Sequence, residues 1–217
     1  MSIPTNLSQP ADPVASPSGV RGAGMADPVR DAQQTFRALL DAFGRPTTTV
    51  SVPCRTGSPA ALTQGVAALV LSVADDSTPL WLDPVFADDG DVTAWIRFHT
   101  GAPLVDDPAQ AAFALVAAPS CLPALGSFAL GTDEAPHTST TVVVQVTGPA
   151  CGPALVADGP GFPVPALWHP PDLPPDFTTQ WAGNGALFPR GVDLVLASDD
   201  ALVALPRTTR LLTATEV

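Results

Sequence analysis

The chain has 217 residues, 46% of them hydrophobic and only 14% charged, with a formal net charge of -12. That composition fits one apolar-rich globular domain, not a disordered chain, and its acidity disfavours a nucleic-acid backbone as partner. All nine basic residues are arginine, so no Schiff base and no lysine-bearing phosphate loop can form.

Residues 1–26 are rich in Pro, Ser, Gly and Ala without periodicity and read as a flexible tail, with Met25 a possible alternative start. The opening "MSIPTNLSQP" has neither a basic nor an apolar region, so no secretory signal is expected. Asp27 and Pro28 then open a helix whose apolar stripe is Val29, Ala32, Phe36, Leu39, Leu40 and Phe43, stopped by Gly44 and Pro46. "TTTVSV" at 47–52 is β-branched and predicts a strand.

Ser58-Pro59 predicts the start of a second helix running to about Ala74, and "PLWL" at 79–82 a short strand. Asp91 is expected to cap a third helix on which Val92, Trp95, Ile96 and His99 share a face. "AFALVA" at 112–117 and "TTVVVQV" at 140–146 predict buried strands, with a short helix between them at 121–130. Residues 148–176 read as irregular with short strands, and 174–184 as a further helix. "VDLVLAS" at 192–198 and "ALVAL" at 201–205 predict a hairpin around Asp199-Asp200.

The alternation predicts an α/β class chain, a three-layer α/β/α-like sandwich with a mixed sheet, and a single domain over 27–217. The expected core contains Phe36, Leu40, Leu69, Leu71, Trp81, Phe98 or Trp95, Phe113, Val143 and Leu194. The longest apolar stretch, 66–74, is too short to span a bilayer. Cys54, Cys121 and Cys151 are dispersed and odd in number, which predicts a cytoplasmic, reducing setting without a disulfide framework. His137 and His169 lack neighbours at metal-ligand spacing, so no metal site is expected. No Gly-x-Ser-x-Gly elbow occurs.

The cationic candidates are few. Arg97 and His99 sit in the last turn of a helix, where cations complement the dipole; an anionic ligand or a partner carboxylate is the other reading. Arg207, beside Thr208, ends a strand either as an anion site or as a plain polar terminus. Asp193 in "FPRGVDL" either orients an arginine or histidine or accepts from loop amides. "DGPGFP" at 158–163 is a glycine turn with no helix after it, weak support for phosphate binding.

Nine segments in order, "FRALLDAFGRP" (36–46), "ADDSTPLWL" (74–82), "RFHTGAPLV" (97–105), "AAFAL" (111–115), "GTDEAP" (131–136), "TVVVQV" (141–146), "GPGF" (159–162), "FPRGVDLVL" (188–196) and "LPRTT" (205–209), together resemble the PhnH family. Members of that family are subunits of the bacterial carbon–phosphorus (C–P) lyase core complex. The resemblance runs from about Val29 to Arg210; Phe162 and the Phe43-Gly44 pair depart from the usual pattern. It implies a fold similar to the large domain of pyridoxal-phosphate (PLP) transferases, without that cofactor. It further implies a homodimer acting with other C–P lyase core subunits. The complex joins a phosphonate to the ribose of ATP and displaces adenine, leaving a ribose 1-phosphonate 5-triphosphate. ATP is then a substrate of the complex, and no cofactor is expected on this subunit. No catalytic residue carries over. Arg37, Arg45, Arg97 and Arg207 all fall in matching segments, which makes them, with His99, Thr208 and Asp193, the candidates for anion or partner binding. The competing expectations are a stand-alone enzyme and a small-anion binding module.

Overall fold

A computed structural model describes residues 24–148 and 150–213. The chain starts with helix α1 (Pro28–Gly44), capped by the Asp27 carboxylate on the Arg30 amide, and strand β1 (Val50–Ser51). Next come α2 (Gln64–Val73), β2 (Leu80–Leu82), α3 (Pro84–Ala87), α4 (Gly90–Thr100) and β3 (Leu104–Val105). Then follow β4 (Phe113–Val116), β5 (Thr141–Gln145), β6 (Leu155–Asp158) and β7 (Ala166–Trp168). The chain continues with α5 (Phe177–Ala186), β8 (Asp193–Ala197), β9 (Ala201–Leu205) and β10 (Arg210–Thr213).

Seven strands form one mixed sheet in the order β1-β9-β8-β5-β4-β2-β3. β3, β2, β4, β5 and β8 run parallel; β9 and β1 close one side antiparallel. The β8–β9 hairpin turns at Asp199-Asp200 as expected. A parallel sheet must be covered on both faces, and alternating side chains supply the two cores. Leu115, Val143 and Val195 point to one face, where they meet α1, α2 and α4. Ala114, Val116, Val142, Val144, Leu194 and Leu196 point to the other. That second face is covered by α5, by 3-10 turns and by a small antiparallel sheet, β10-β6-β7. The third layer is thus part helix and part sheet, which corrects the expected α/β/α sandwich.

Several local expectations shift. The strand expected at 47–52 is paired only over Val50–Ser51, because Thr47, at φ 60°, turns to donate its amide to Ala204. α2 starts at Thr63, not at Ser58-Pro59: its hydroxyl accepts from the Val66 amide, and the Thr63 and Gly65 amides are drawn to Gln145 and Ser198. α4 is capped by Asp89, which accepts from the Asp91 and Val92 amides; Asp91 lies inside the first turn. The helix expected at 121–130 is two 3-10 turns, Pro119–Cys121 and Leu125–Ser127, since Pro123 and Gly126 interrupt any longer run.

The core expectation holds for Leu69, Trp95, Val143 and Leu194, while Leu71, Trp81 and Phe113 are half-buried against the cores. It fails for Phe36 and Leu40, which are 46% and 54% exposed, and Phe98 is exposed too. α1 buries Thr35, Ala38, Leu39 and Ala42 instead, so its apolar stripe is wider than its contact with the sheet. Met25, placed by sequence in the flexible tail, is buried, bridges to Thr56, and follows a glycine whose carbonyl accepts from the Gly57 amide. The rest of the expected tail, 1–23, lies outside the described residues.

Gly65 shows how tightly α2 seats on the sheet. A Cβ there would stand 2.2 Å from the Ser198 carbonyl oxygen, whereas one at Gly126 meets nothing within 4 Å. Gly65→Ala should therefore cost about 1–3 kcal/mol or more, and Gly126→Ala about nothing, in urea unfolding of the two variants. Phe36→Ala, unfolded at a dilution where the chain is monomeric, should cost less than about 1 kcal/mol because the ring is not in the core.

Candidate functional site

Two of the sequence candidates come together. Asp193 opens β8 and Arg207 follows β9, 14 residues later along the chain. One carboxylate oxygen of Asp193 accepts from the Arg207 amide at 2.7 Å and from its Nε at 3.1 Å; the other accepts from Nη2 at 2.5 Å. Nη2 also donates to the Ser139 hydroxyl at 2.6 Å, and Nη1 donates to the carbonyls of Pro136 and Pro189 at 3.2 and 3.1 Å. The five N–H bonds that a guanidinium carries are thereby all taken up inside the chain. The two side chains are 13% and 19% exposed, so the bidentate pair is sheltered from solvent. This cluster joins the amino ends of β5 and β8 to two loops.

The loop before β8 is fixed by a second polar staple. Buried Asn184 on α5 donates to the Val192 carbonyl at 2.9 Å and accepts from the Val192 amide at 2.8 Å. Gly191, at φ 113°, passes so close that a Cβ would stand 2.8 Å from the side-chain Oδ1 of Asn184. Trp181, one turn earlier, donates from its indole to the Thr209 carbonyl at 2.8 Å. The "FPRGVD" and "LPRTT" segments therefore meet in space. Thr208, next to Arg207, borders a cleft of about 440 Å³ between α5 and β10.

The other candidates lie elsewhere. Arg97 is exposed on α4 and lines a cleft of about 490 Å³ with Trp81, Thr93, Asp88 and Asp106. Two carboxylates share that cleft, so its field does not single out an anion. His99, two residues on, is half-buried; its ring lies tilted against Trp95 with centroids 4.9 Å apart, and Gly24 packs against it. Arg37 and Arg45 are exposed on α1 and its end, and Arg45 pairs with Asp41 at 3.2 Å. Neither approaches the Arg207 cluster as a bonded partner among the described residues.

Ligands of open parallel sheets usually sit beyond the carboxyl ends of the strands, where strand order reverses. Here that point is between β2 and β4, and the fully buried Asp83 occupies it. Its carboxylate accepts from the Phe86 amide at 3.0 Å and from the Ala117 amide at 2.8 Å, tying the two strand ends together. Two small clefts open farther along the same edge. One, about 210 Å³, is lined by Ser120, Thr147, Cys151 and Asp172 among others. Its neighbour, about 230 Å³, is lined by Thr47, Thr49, Trp168, His169 and Ser198, and the two share Val146 and Pro171. Neither lining contains an arginine. Among the titratable groups, burial and then the Asp31 carboxylate push the Cys54 thiol up, while hydrogen bonds from Ser77 and Thr78 hold Asp75 below the usual carboxylate range.

Sequence reasoning named Asp193 and Arg207 but not Ser139, Asn184 or Asp83. The missed residues are single polar side chains whose partners lie on distant segments, so no local pattern marks them.

Comparison with known proteins matches residues 23–212 to a family described as bacterial phosphonate metabolism protein (PhnH). A relative from Rhizobium meliloti (strain 1021), named alpha-D-ribose 1-methylphosphonate 5-triphosphate synthase subunit PhnH, is 40% identical over 194 residues; the match covers 89% of this chain and 96% of the relative. A second, from Stutzerimonas stutzeri, named putative C-P lyase subunit protein HtxG, is 31% identical over 179 residues, covering 82% and 85%.

Removing the guanidinium would strand a sheltered carboxylate and three further acceptors. Arg207→Gln is expected to cost about 3–5 kcal/mol, read from the urea midpoint. Replacing both partners together, Arg207→Met with Asp193→Leu, should cost clearly less than Arg207→Gln alone, the signature of a buried pair rather than of a lone packing contact.

Proposed function

Since the chain belongs to the PhnH family, we propose that it is a subunit of a C–P lyase assembly. That assembly transfers the ribose 5-triphosphate of ATP to a phosphonate and releases adenine. In this reading the chain acts in the cytoplasm as a homodimer beside other core subunits, and it lends form rather than bond-making groups. The observation that carries the reading is the match to a relative named as a synthase subunit, over 96% of that relative's length.

The chemistry of the chain supports a non-catalytic part. Displacing adenine builds positive charge at a ribose carbon while a triphosphate must be held, and both need placed charges. Arg207 spends its donors on protein groups, two small carboxyl-edge clefts are lined without arginine, and the cleft at the ends of β2 and β3 sets Arg97 beside the carboxylates of Asp88 and Asp106. A chain of net charge -12 is a poor host for a triphosphate and a fitting neighbour for a basic subunit, which it would meet with electrostatic steering. Kinship with the large domain of PLP transferases is part of this reading: a lysine-free chain on such a scaffold would keep the architecture and lose the Schiff base. No helix among the described residues is long and apolar enough to cross a membrane.

The test is adenine release from ATP and methylphosphonate. The purified chain alone should give none above background, and the reconstituted set of subunits should lose activity when this chain is left out. Release by the chain alone would overturn the reading and make Arg97 and His99 the first catalytic candidates. Saturable binding of methylphosphonate to the isolated chain, abolished by Arg97→Gln, would favour the anion-binding module instead, with the cleft at Arg97 as its site.

A further inference from the structure

α1 carries more apolar surface than the sheet uses. Val29, Phe36 and Leu40 are 71%, 46% and 54% exposed, on a helix whose other side is already buried. At about 100° per residue they fall on one line along the helix, flanked by the half-buried Ala32 and Phe43. A line of large exposed hydrophobic groups on one element marks a contact surface.

The spacing of this line says what covers it. Val29 and Ala32 lie seven and four residues before Phe36, and Leu40 and Phe43 lie four and seven after it. The pattern reads the same from either end. An antiparallel pair of such helices, related by a two-fold axis at Phe36, sets Phe36 on its own copy, Ala32 against Leu40 and Val29 against Phe43. Small then meets large, and every contact is made twice, as an isologous interface requires. At about 100° per residue, Arg30, Arg37 and Asp41 are exposed well round the helix from Phe36, so the charges of α1 lie outside the line and leave it apolar.

We propose that α1 is a self-association surface of this protein, forming an antiparallel helix pair with a second copy around Phe36. The proposal rests on the homodimer part of the reading above and adds the surface; it is independent of the transfer chemistry.

The experiment is light scattering on size-exclusion runs of the full chain, with thermal melts of each variant. The wild type should run as a dimer. Phe36→Glu and Leu40→Glu should each raise the dimer dissociation constant roughly 30-fold or more, with melting of the monomer unchanged because both side chains are exposed. In a Cys121→Ser, Cys151→Ser background, Phe36→Cys should be joined to its copy by copper-phenanthroline oxidation. Val85→Cys, an exposed control on α3, should not. A monomeric wild type would overturn the dimer reading and this proposal with it. A wild-type dimer that survives both glutamates and leaves Phe36→Cys uncrosslinked would overturn the proposal alone. The proposal is also overturned if the glutamates leave the dimer intact yet block entry into the assembly, since α1 would then face another subunit.

Discussion

The arrangement of this protein hangs on one guanidinium. Arg207 holds a carboxylate, a hydroxyl and two carbonyls that come from two separate stretches of chain, 136–139 and 189–193. Each acceptor is a group that the fold would otherwise shelter from water without a partner, which is costly. The guanidinium is the one side chain able to serve so many directions in a plane, and lysine could not replace it. Through it the amino ends of β5 and β8 are set, and with them the register of the central parallel pair, Thr141 beside Asp193. The same contact explains why "FPRGVD" and "PRTT" are both needed: one brings the carboxylate, the other the cation.

The polar staples share a logic. Asn184 fixes the entry to β8, Gln145 accepts from the Thr63 amide and donates to the Ala61 carbonyl, and Asp83 ties β2 to β4. All are buried, and each meets backbone groups that no strand partner reaches. Asp83 has a further effect. At the place where parallel sheets most often open a ligand crevice, the chain puts a carboxylate that is already satisfied by its own amides. The edge is closed at the switch point and opens to either side of it, into the Arg97 cleft at the ends of β2 and β3 and into two smaller clefts farther along.

Charge follows the same division. The acidic excess is spread over the surface, as in the caps Asp27, Asp89 and Asp107, each accepting an amide at a helix start. Carboxylates there favour the helix dipole as well as solubility. The arginines are placed singly. One is spent inside, two sit in exposed pairs with Asp133 and Asp158, and those of α1 flank its apolar line. An acidic body with a few defined cationic and apolar spots gives directional association in place of general stickiness.

Sequence alone determined the class of fold, most elements, the β8–β9 hairpin and the family. It did so because helix caps, β-branched runs and turn residues act over a few neighbours, and because the ordered motifs span nearly the whole chain. It also determined that lysine chemistry is absent. Tertiary structure decided the rest. Periodicity alone put Phe36 and Leu40 in the core, since a helix wheel shows an apolar stripe but not how much of it the sheet can cover; the structure gave the inner positions to Ala38, Leu39 and Ala42. α2 begins five residues later than its local signal because amides at 63 and 65 are drawn to Gln145 and Ser198, far away in sequence. Met25 belongs to the core only because a strand-like bridge to Thr56 brings it there. And the pairing of Asp193 with Arg207, both visible as candidates, became a staple only when β8 and β9 were laid side by side, because hydrogen-bond partners are chosen by proximity in space and not by spacing along the chain.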